Sequence, residues 1–112
     1  MKDDLIFIKH IQDCIQRIDI FMKRVSKKEF VQNEEKQSAV IRQIEIIGEA
    51  VKNLSEDFRK KYPQIEWRKI AGMRDKLIHF YFGVDLDAVW YVAKDNLPKL
   101  KKQIRQILEK EK

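Results

Sequence analysis

An arginine and a histidine stand five residues apart in the stretch "MRDKLIHFYFG", residues 73–83, and a tyrosine follows two residues later. Arg74 carries a permanent positive charge that can hold an anion or stabilise developing negative charge. His79 is one of two histidines in the chain, and an imidazole titrates near neutral pH, so it can accept or donate a proton. Together they could cleave RNA without a metal ion, because the 2′-hydroxyl of RNA itself attacks the adjacent phosphorus.

The sequence lacks the residues that other classes of catalytic site need. The sequence has no Gly-rich phosphate loop, no Ser or Cys nucleophile beside a base, and no His, Cys and carboxylate cluster with metal-ligand spacing. His10 is far from His79 along the chain and has the character of an ordinary surface residue. We therefore predict an active site without a metal or a cofactor.

The helical position of Arg74 leaves two interpretations open. In steps of three and four residues, one helix face is formed by Trp67, Ile70, Arg74, Leu77 and Tyr81. An unpaired charge buried on such an apolar face costs on the order of several kcal/mol. Arg74 is therefore either a structural residue that reaches solvent or pairs with a carboxylate such as Asp85 or Asp87, or a guanidinium that binds an anion in a cleft.

The spacing within the motif also bears on His79 and on assembly. Asp75 precedes His79 by four residues, a helical spacing at which a carboxylate can orient or charge an imidazole; the family resemblance described below implies a supporting role for Asp75. Alternatively, His79 is purely structural. On an ideal helix, Arg74 and His79 would be separated by ~140° and would not meet side by side. A two-fold dimer would bring one copy of each to a shared groove, which favours a homodimer. Tyr81 alone would be interpreted as a core or interface aromatic.

Apolar periodicity predicts the elements that must position these residues. Residues recur at steps of three and four over about 3–25, over 38–54 ("SAVIRQIEIIGEAVKNL"), over about 65–81 and from Leu86 onwards. Ser55 is suited to cap a short helix that ends at Pro63, Asp85 can cap the last long helix, and Pro98 should kink or split that helix. The predicted fold is one all-α domain over residues 1–112, an antiparallel up-and-down four-helix bundle with an extra short helix. Gly48, inside the second helix, indicates close approach of a neighbouring helix.

Composition places the chain among soluble, basic proteins. Its net charge is +6, and residues 59–76 hold seven basic residues against two acidic ones, which permits contact with a polyanion such as RNA. Cys14 is the single cysteine, so no intrachain disulfide can form. No segment resembles a signal peptide or the ~20 apolar residues that span a bilayer. We expect a cytoplasmic protein without membrane contact.

Two segments carry a resemblance to a known family. The block "IEWRKIAGMRDKLIHFYFGVDLDAVW", with its Arg-x4-His-x-Tyr pattern, and "IGEAVKNLS" resemble the HepT-like branch of the HEPN superfamily. The resemblance implies a homodimeric, metal-independent endoribonuclease toxin, paired with an MNT-type nucleotidyltransferase as antitoxin. It further implies that Arg74 and His79 are catalytic at the dimer interface. The partner would silence the toxin by transferring AMP from ATP to Tyr81, since added negative charge and bulk repel RNA and obstruct the groove.

Two other functions fit the same residues. The chain could be a non-catalytic helical module that binds and regulates a nucleotidyltransferase, because a fold alone does not imply activity. It could also be a dimeric bundle whose basic surface holds RNA without cutting it.

Overall fold

The computed structural model describes residues 2–79 and 83–112, and of residues 2, 78 and 79 it describes the backbone. The α-helices are α1 (Lys2–Met22), α2 (Lys27–Gln32), α3 (Glu34–Lys52), α4 (Glu56–Lys61), α5 (Trp67–Ala71), α6 (Met73–Leu77), α7 (Leu86–Tyr91) and α8 (Leu97–Lys110). A π-helical segment, Val92–Asn96, joins α7 to α8, and the strands β1 (Ile78–His79) and β2 (Gly83–Val84) form a short antiparallel ribbon. The predicted all-α class is confirmed.

The core lies between three long helices, of which α1 packs against both α3 and α8. The predicted apolar stripes are buried, and their central members are Ile8, Ile11, Ile15, Ile18, Val40, Ile44, Ile47, Val51, Leu97, Leu100, Ile104 and Ile107. Stripes of this length bury enough apolar surface to hold the helices together. The periodicity of the sequence therefore predicted the core correctly.

Polar contacts at the helix ends show that α1 runs antiparallel to its neighbours. At the start of α1, the Asp4 carboxylate accepts hydrogen bonds from the backbone N–H of Ser55 (2.6 Å) and from its hydroxyl (2.8 Å), just after α3 ends. At the other end, Lys36 Nζ donates to the carbonyl oxygen of Phe21 (3.0 Å) from the first turn of α3. Lys94 Nζ reaches the carbonyl oxygen of Met22 (2.9 Å) from the segment before α8.

The predicted third helix is wrong as a continuous element. In place of a helix over about 65–81, the chain forms α5, a turn at Gly72, α6 and then β1. The backbone N–H of Gly72 bonds to the Arg68 carbonyl (3.1 Å), which closes α5 before α6 begins. Three long helices are therefore present among the described residues, and the four-helix bundle stays a prediction in which α5 and α6 take the place of one helix.

Other predicted boundaries agree more closely with the structure. Ser55 caps α4 by accepting from the Phe58 N–H (3.1 Å), and Asp85 caps α7 by accepting from the Ala88 N–H (3.0 Å). The first helix ends at Met22, and the second spans Glu34–Lys52, earlier than 38–54 because Asn33 caps it. Pro98 lies in the first turn of α8, after the π-helical segment, where its missing N–H is tolerated.

The end of α8 is held by a polar cluster. Glu111 accepts a hydrogen bond from Lys61 Nζ (2.7 Å) and one from the hydroxyl of Tyr62. These two donors lower the pKa of the Glu111 carboxyl, Lys61 more than Tyr62. Burial, together with the bond to Glu111, raises the pKa of Tyr62 to about 12. The cluster thus joins the end of α8 to the end of α4.

In the part of the chain that the structure describes, every helix is too short or too polar to cross a bilayer.

The buried Asp4 carboxylate predicts a measurable stability difference. Asp4 is 5% exposed, and Asp4→Ala leaves two Ser55 donors without this acceptor, so we expect it to lower the free energy of unfolding by about 2–3 kcal/mol. Asp3→Ala, at the exposed neighbouring position, should cost no more than about 0.5 kcal/mol. Urea denaturation followed by circular dichroism measures both, and equal losses for the two variants would contradict this role of Asp4.

Candidate active site

Arg74 lies on α6 and points to the surface, not into the core. Its side chain is 49% exposed; Nε lies 3.4 Å from Glu45 Oε2 on α3, and one terminal nitrogen lies 3.6 Å from Asp75 Oδ1. The stripe predicted from the sequence is buried at Trp67 and Leu77 but not at Arg74, which reaches solvent and a carboxylate, as one of its two interpretations allowed. Trp67 and Leu77 are buried as predicted.

The carboxylate beside Arg74 is one that the sequence did not suggest. Asp85 caps α7, and Asp87 pairs with Lys27 (3.3 Å), so neither of the two predicted partners is the one found. Glu45 is far from Arg74 in sequence. The one feature that could have indicated the contact is the place of Glu45 on α3, three residues before Gly48. In the structure, α5 and α6 pack against the face of α3 around Gly48.

The Arg74–Glu45 pair is weak enough for a phosphate to compete with it. Its 3.4 Å separation exceeds the roughly 2.7–2.9 Å of a strong charge-assisted hydrogen bond. A partly exposed ion pair of this kind contributes about 0–1 kcal/mol. The pair can therefore orient the guanidinium while leaving its other nitrogens available to an anion.

The backbone of His79 belongs to the β-ribbon and not to a helix. β1 pairs antiparallel with β2, with His79 opposite Gly83 and Ile78 opposite Val84. Gly83 has a φ of +80°, a left-handed conformation that favours glycine. Because α6 ends at Leu77, the predicted helical spacing of four residues between Asp75 and His79 does not apply, and Asp75 instead contacts Arg74.

A hydrogen bond joins the end of α6 to the start of α7, on either side of the ribbon. The backbone N–H of Asp85 donates to the Leu77 carbonyl (2.8 Å), so the start of α7 is fastened to the end of α6. The expected modification site, Tyr81, lies outside the described residues. Arg74 and the His79 backbone thus belong to consecutive elements, and their convergence in a dimer stays a prediction.

The glycine inside α3 sets the position of α5 and α6. An added Cβ at Gly48 would lie 3.2 Å from the carbonyl oxygen of Ala71 and 3.7 Å from that of Ile70. The predicted close approach is therefore confirmed, and the neighbouring element is the end of α5. Since Arg74 follows three residues later, this contact also determines how far the guanidinium stands from α3.

A groove runs beside the candidate site, between α5–α6 and the α7–α8 region. Its volume is about 470 Å³, its floor includes Ile70, Leu77 and Leu97, and its rim carries lysines at 69, 76 and 99. Glu66 hydrogen-bonds Lys69 (2.6 Å), which lowers the pKa of the Glu66 carboxyl and raises that of Lys69. Among the described residues, no group of His, Cys, Asp and Glu has the arrangement of a metal site.

The Gly48 contact predicts that a larger residue there displaces the site. Gly48→Val places a side chain against the Ala71 carbonyl, so we expect a loss of about 1–3 kcal/mol in the free energy of unfolding, typical of overpacking. Gly72→Ala is the matched control, because its Cβ would lie at an ordinary 3.5 Å from the Arg68 carbonyl. Thermal and urea unfolding measure both; an unchanged Gly48→Val protein would contradict the close contact.

Comparisons with known proteins match the chain to one family over most of its length. Residues 11–107 match the family described as "Ribonuclease HepT-like". A "putative RNase" of Caldanaerobacter subterraneus subsp. tengcongensis is 45% identical over 116 residues, covering all of both chains. A "probable ribonuclease HepT" of Thermococcus cleftensis is 42% identical, covering 90% of this chain and 92% of its own.

A further relative is longer than this chain. It is a "gamma-glutamylcyclotransferase and putative RNase" of Methanocaldococcus jannaschii, 48% identical over 108 residues. The match covers 96% of this chain but only 49% of the relative, so the chain spans about half of that protein's length. No solved structure matches the chain significantly.

Proposed function

This chain belongs to the HepT-like ribonuclease family, and we propose that it is an endoribonuclease toxin in which Arg74 and His79 are the catalytic residues. The observation that carries the proposal is the family match over residues 11–107, which contains the whole Arg-x4-His-x-Tyr motif. The exposure of Arg74 and its weak pairing with Glu45 support it, because a catalytic guanidinium must be free to meet a phosphate.

The proposed reaction uses the 2′-hydroxyl of the RNA as the nucleophile. His79 accepts the proton of this hydroxyl, or donates one to the leaving group, as the bond from O2′ to phosphorus forms and the bond from phosphorus to O5′ breaks. Arg74 stabilises the negative charge that builds up on the phosphoryl oxygens. The step needs no metal ion, and DNA, which lacks the 2′-hydroxyl, would not be cut.

A homodimer would complete this site. Arg74 lies on α6 and His79 on the ribbon that follows it, so a two-fold axis near these elements would place one residue of each type on either side of a common groove. The two-fold operation generates two equivalent pairs. We therefore propose that the dimer is the active species.

Substitutions in the motif test the catalytic assignment. Arg74→Ala and His79→Ala should each lower kcat/KM for cleavage of single-stranded RNA by about 10²–10⁴-fold, the range for loss of acid–base or charge stabilisation. Cleavage should persist in EDTA. The matched controls are Arg105→Ala and His10→Ala, at exposed positions on α8 and α1, which should cleave as the wild type does.

Two results would contradict the assignment. Cleavage retained by both motif variants would remove Arg74 and His79 from the mechanism. Absence of cleavage by the wild-type dimer, together with tight binding to a nucleotidyltransferase, would favour the non-catalytic partner role.

We further propose that an MNT-type nucleotidyltransferase silences the toxin by adenylylating Tyr81. The phenol oxygen attacks the α-phosphorus of ATP, pyrophosphate leaves and the phenolic proton is lost. The added phosphate and nucleoside place negative charge and bulk two residues from His79, which would repel the RNA backbone. This proposal is supported by the position of Tyr81 in the motif.

Intact-mass analysis after coexpression with such a partner tests the modification. We expect one or more adenylyl groups on the wild type, none on Tyr81→Phe, and an unchanged gain on Tyr91→Phe, which removes an exposed tyrosine outside the motif. The modified protein should lose RNA cleavage. Adenylylation that survives in Tyr81→Phe would assign the site elsewhere.

A further inference from the structure

An exposed aromatic ring lies at the end of α7. Tyr91 is 52% exposed, and Lys27 Nζ, from the first turn of α2, stands 5.0 Å from the centre of its ring. Lys27 also lies 3.3 Å from Asp87 Oδ1, so its position is fixed from two sides. Proteins that bind single strands stack bases on exposed aromatic rings beside cationic side chains.

Further basic residues lie on the segments next to this ring. Residues 23–28, which comprise the connection from α1 to α2 and the first two residues of α2, contain Lys23, Arg24, Lys27 and Lys28 and no acidic residue. Lys94 joins them, because its Nζ donates to the carbonyl oxygen of Met22 (2.9 Å) and lies 5.0 Å from the Trp90 ring centre. We name these five basic residues and Tyr91 the basic–aromatic surface.

Three acidic residues lie on or beside the segments of the basic–aromatic surface. Glu29 accepts a hydrogen bond from the Ser26 hydroxyl (3.2 Å), Asp87 pairs with Lys27, and the exposed Asp95 follows Lys94 directly. Five cations against three carboxylates leave the surface with a net positive charge. Such a surface attracts a phosphate backbone.

Arg24 has a backbone conformation that favours glycine. Its φ is +59°, and a residue with a Cβ is strained by about 1 kcal/mol in this left-handed region. Glycine is the residue favoured just after a helix end in this conformation. Arg24 thus adds an exposed cation at a position where glycine would be less strained.

The basic–aromatic surface is connected to the elements of the candidate active site through α7. Asp85, at the start of α7, bonds to the Leu77 carbonyl at the end of α6 and follows directly after the β-ribbon. Tyr91 is six residues further along, which corresponds to a rise of roughly 9 Å. A single strand of a few nucleotides can span that distance.

We propose that the basic–aromatic surface binds single-stranded RNA next to the scissile nucleotide, with Tyr91 stacking on one base and the surrounding cations holding phosphates. This proposal rests on the proposed function, because it assigns a further part of the RNA to a further part of the same protein. Tyr91 and its cations position the substrate and do not take part in the chemical step.

Binding of an RNA that cannot be cut measures the contribution of this surface independently of catalysis. The probe is a fluorescent single-stranded oligonucleotide with 2′-O-methyl groups throughout, which lacks the attacking hydroxyl. Fluorescence anisotropy with the full-length dimer should show about tenfold weaker binding for Tyr91→Ala, the loss of one stacked base, and nearly wild-type binding for Tyr91→Phe. Lys27→Gln should weaken binding severalfold and reduce the slope of log K against log [salt] by about 0.7.

Lys52→Gln is the matched charge control. Lys52 is an exposed lysine in the last turn of α3, near Ser55 and thus at the opposite end of α1 from Met22. It should bind the probe as the wild type does. Equal weakening by Lys27→Gln and Lys52→Gln would show that only net charge matters and would overturn the proposal.

Arg24→Gly provides a test in which stability and binding change in opposite directions. Relief of backbone strain should raise the melting temperature or leave it unchanged, while the loss of the guanidinium weakens binding of the probe severalfold. A structural role alone would not weaken binding in a protein that is at least as stable. Unchanged affinity in Arg24→Gly and Tyr91→Ala together would overturn the proposal.

Two further measurements separate this inference from the proposed function. Size-exclusion chromatography of Tyr91→Ala should show the wild-type oligomeric state; dissociation would place Tyr91 in the dimer interface and overturn the RNA role. For cleavable RNA, Tyr91→Ala should raise KM with little change in kcat. If the wild type binds the probe through this surface but cuts no RNA, the proposed function fails while the surface stands.

Discussion

The contact between Gly48 and the end of α5 determines where the candidate catalytic arginine stands. A Cβ at Gly48 would lie only 3.2 Å from the carbonyl oxygen of Ala71, so the absence of a side chain there lets the backbones of α3 and α5 approach closely. That approach brings Arg74, at the start of α6, within 3.4 Å of Glu45 on the same α3 face. Backbone packing thus sets the guanidinium's position, and the ion pair only adjusts its direction.

The long helices were predictable because buried apolar residues recur at a regular spacing along them. Each stripe on α1, α3 and α8 keeps one phase for several turns, and a helix with one apolar face can be assigned without knowing its neighbours. Caps were also predictable where a single side chain suffices, as at Ser55 and Asp85. These features are local, and the sequence contains them completely.

The candidate site was harder to predict because one turn divides the predicted helix into two. The spacing from Trp67 to Tyr81 fits a continuous helix, yet Gly72 ends α5 and a new helix begins at Met73. Periodicity could not reveal this break, since two short helices can share the spacing of one long one. Glu45 was missed for a related reason: its contact with Arg74 depends on how α3 meets α6, which no local pattern encodes.

The hydrogen bond from the Asp85 N–H to the Leu77 carbonyl holds the end of α6 and the start of α7 together. Because the two ends of the intervening segment are joined in this way, a somewhat longer segment between them adds little entropic cost. Insertions in this segment should therefore leave the helical core unchanged.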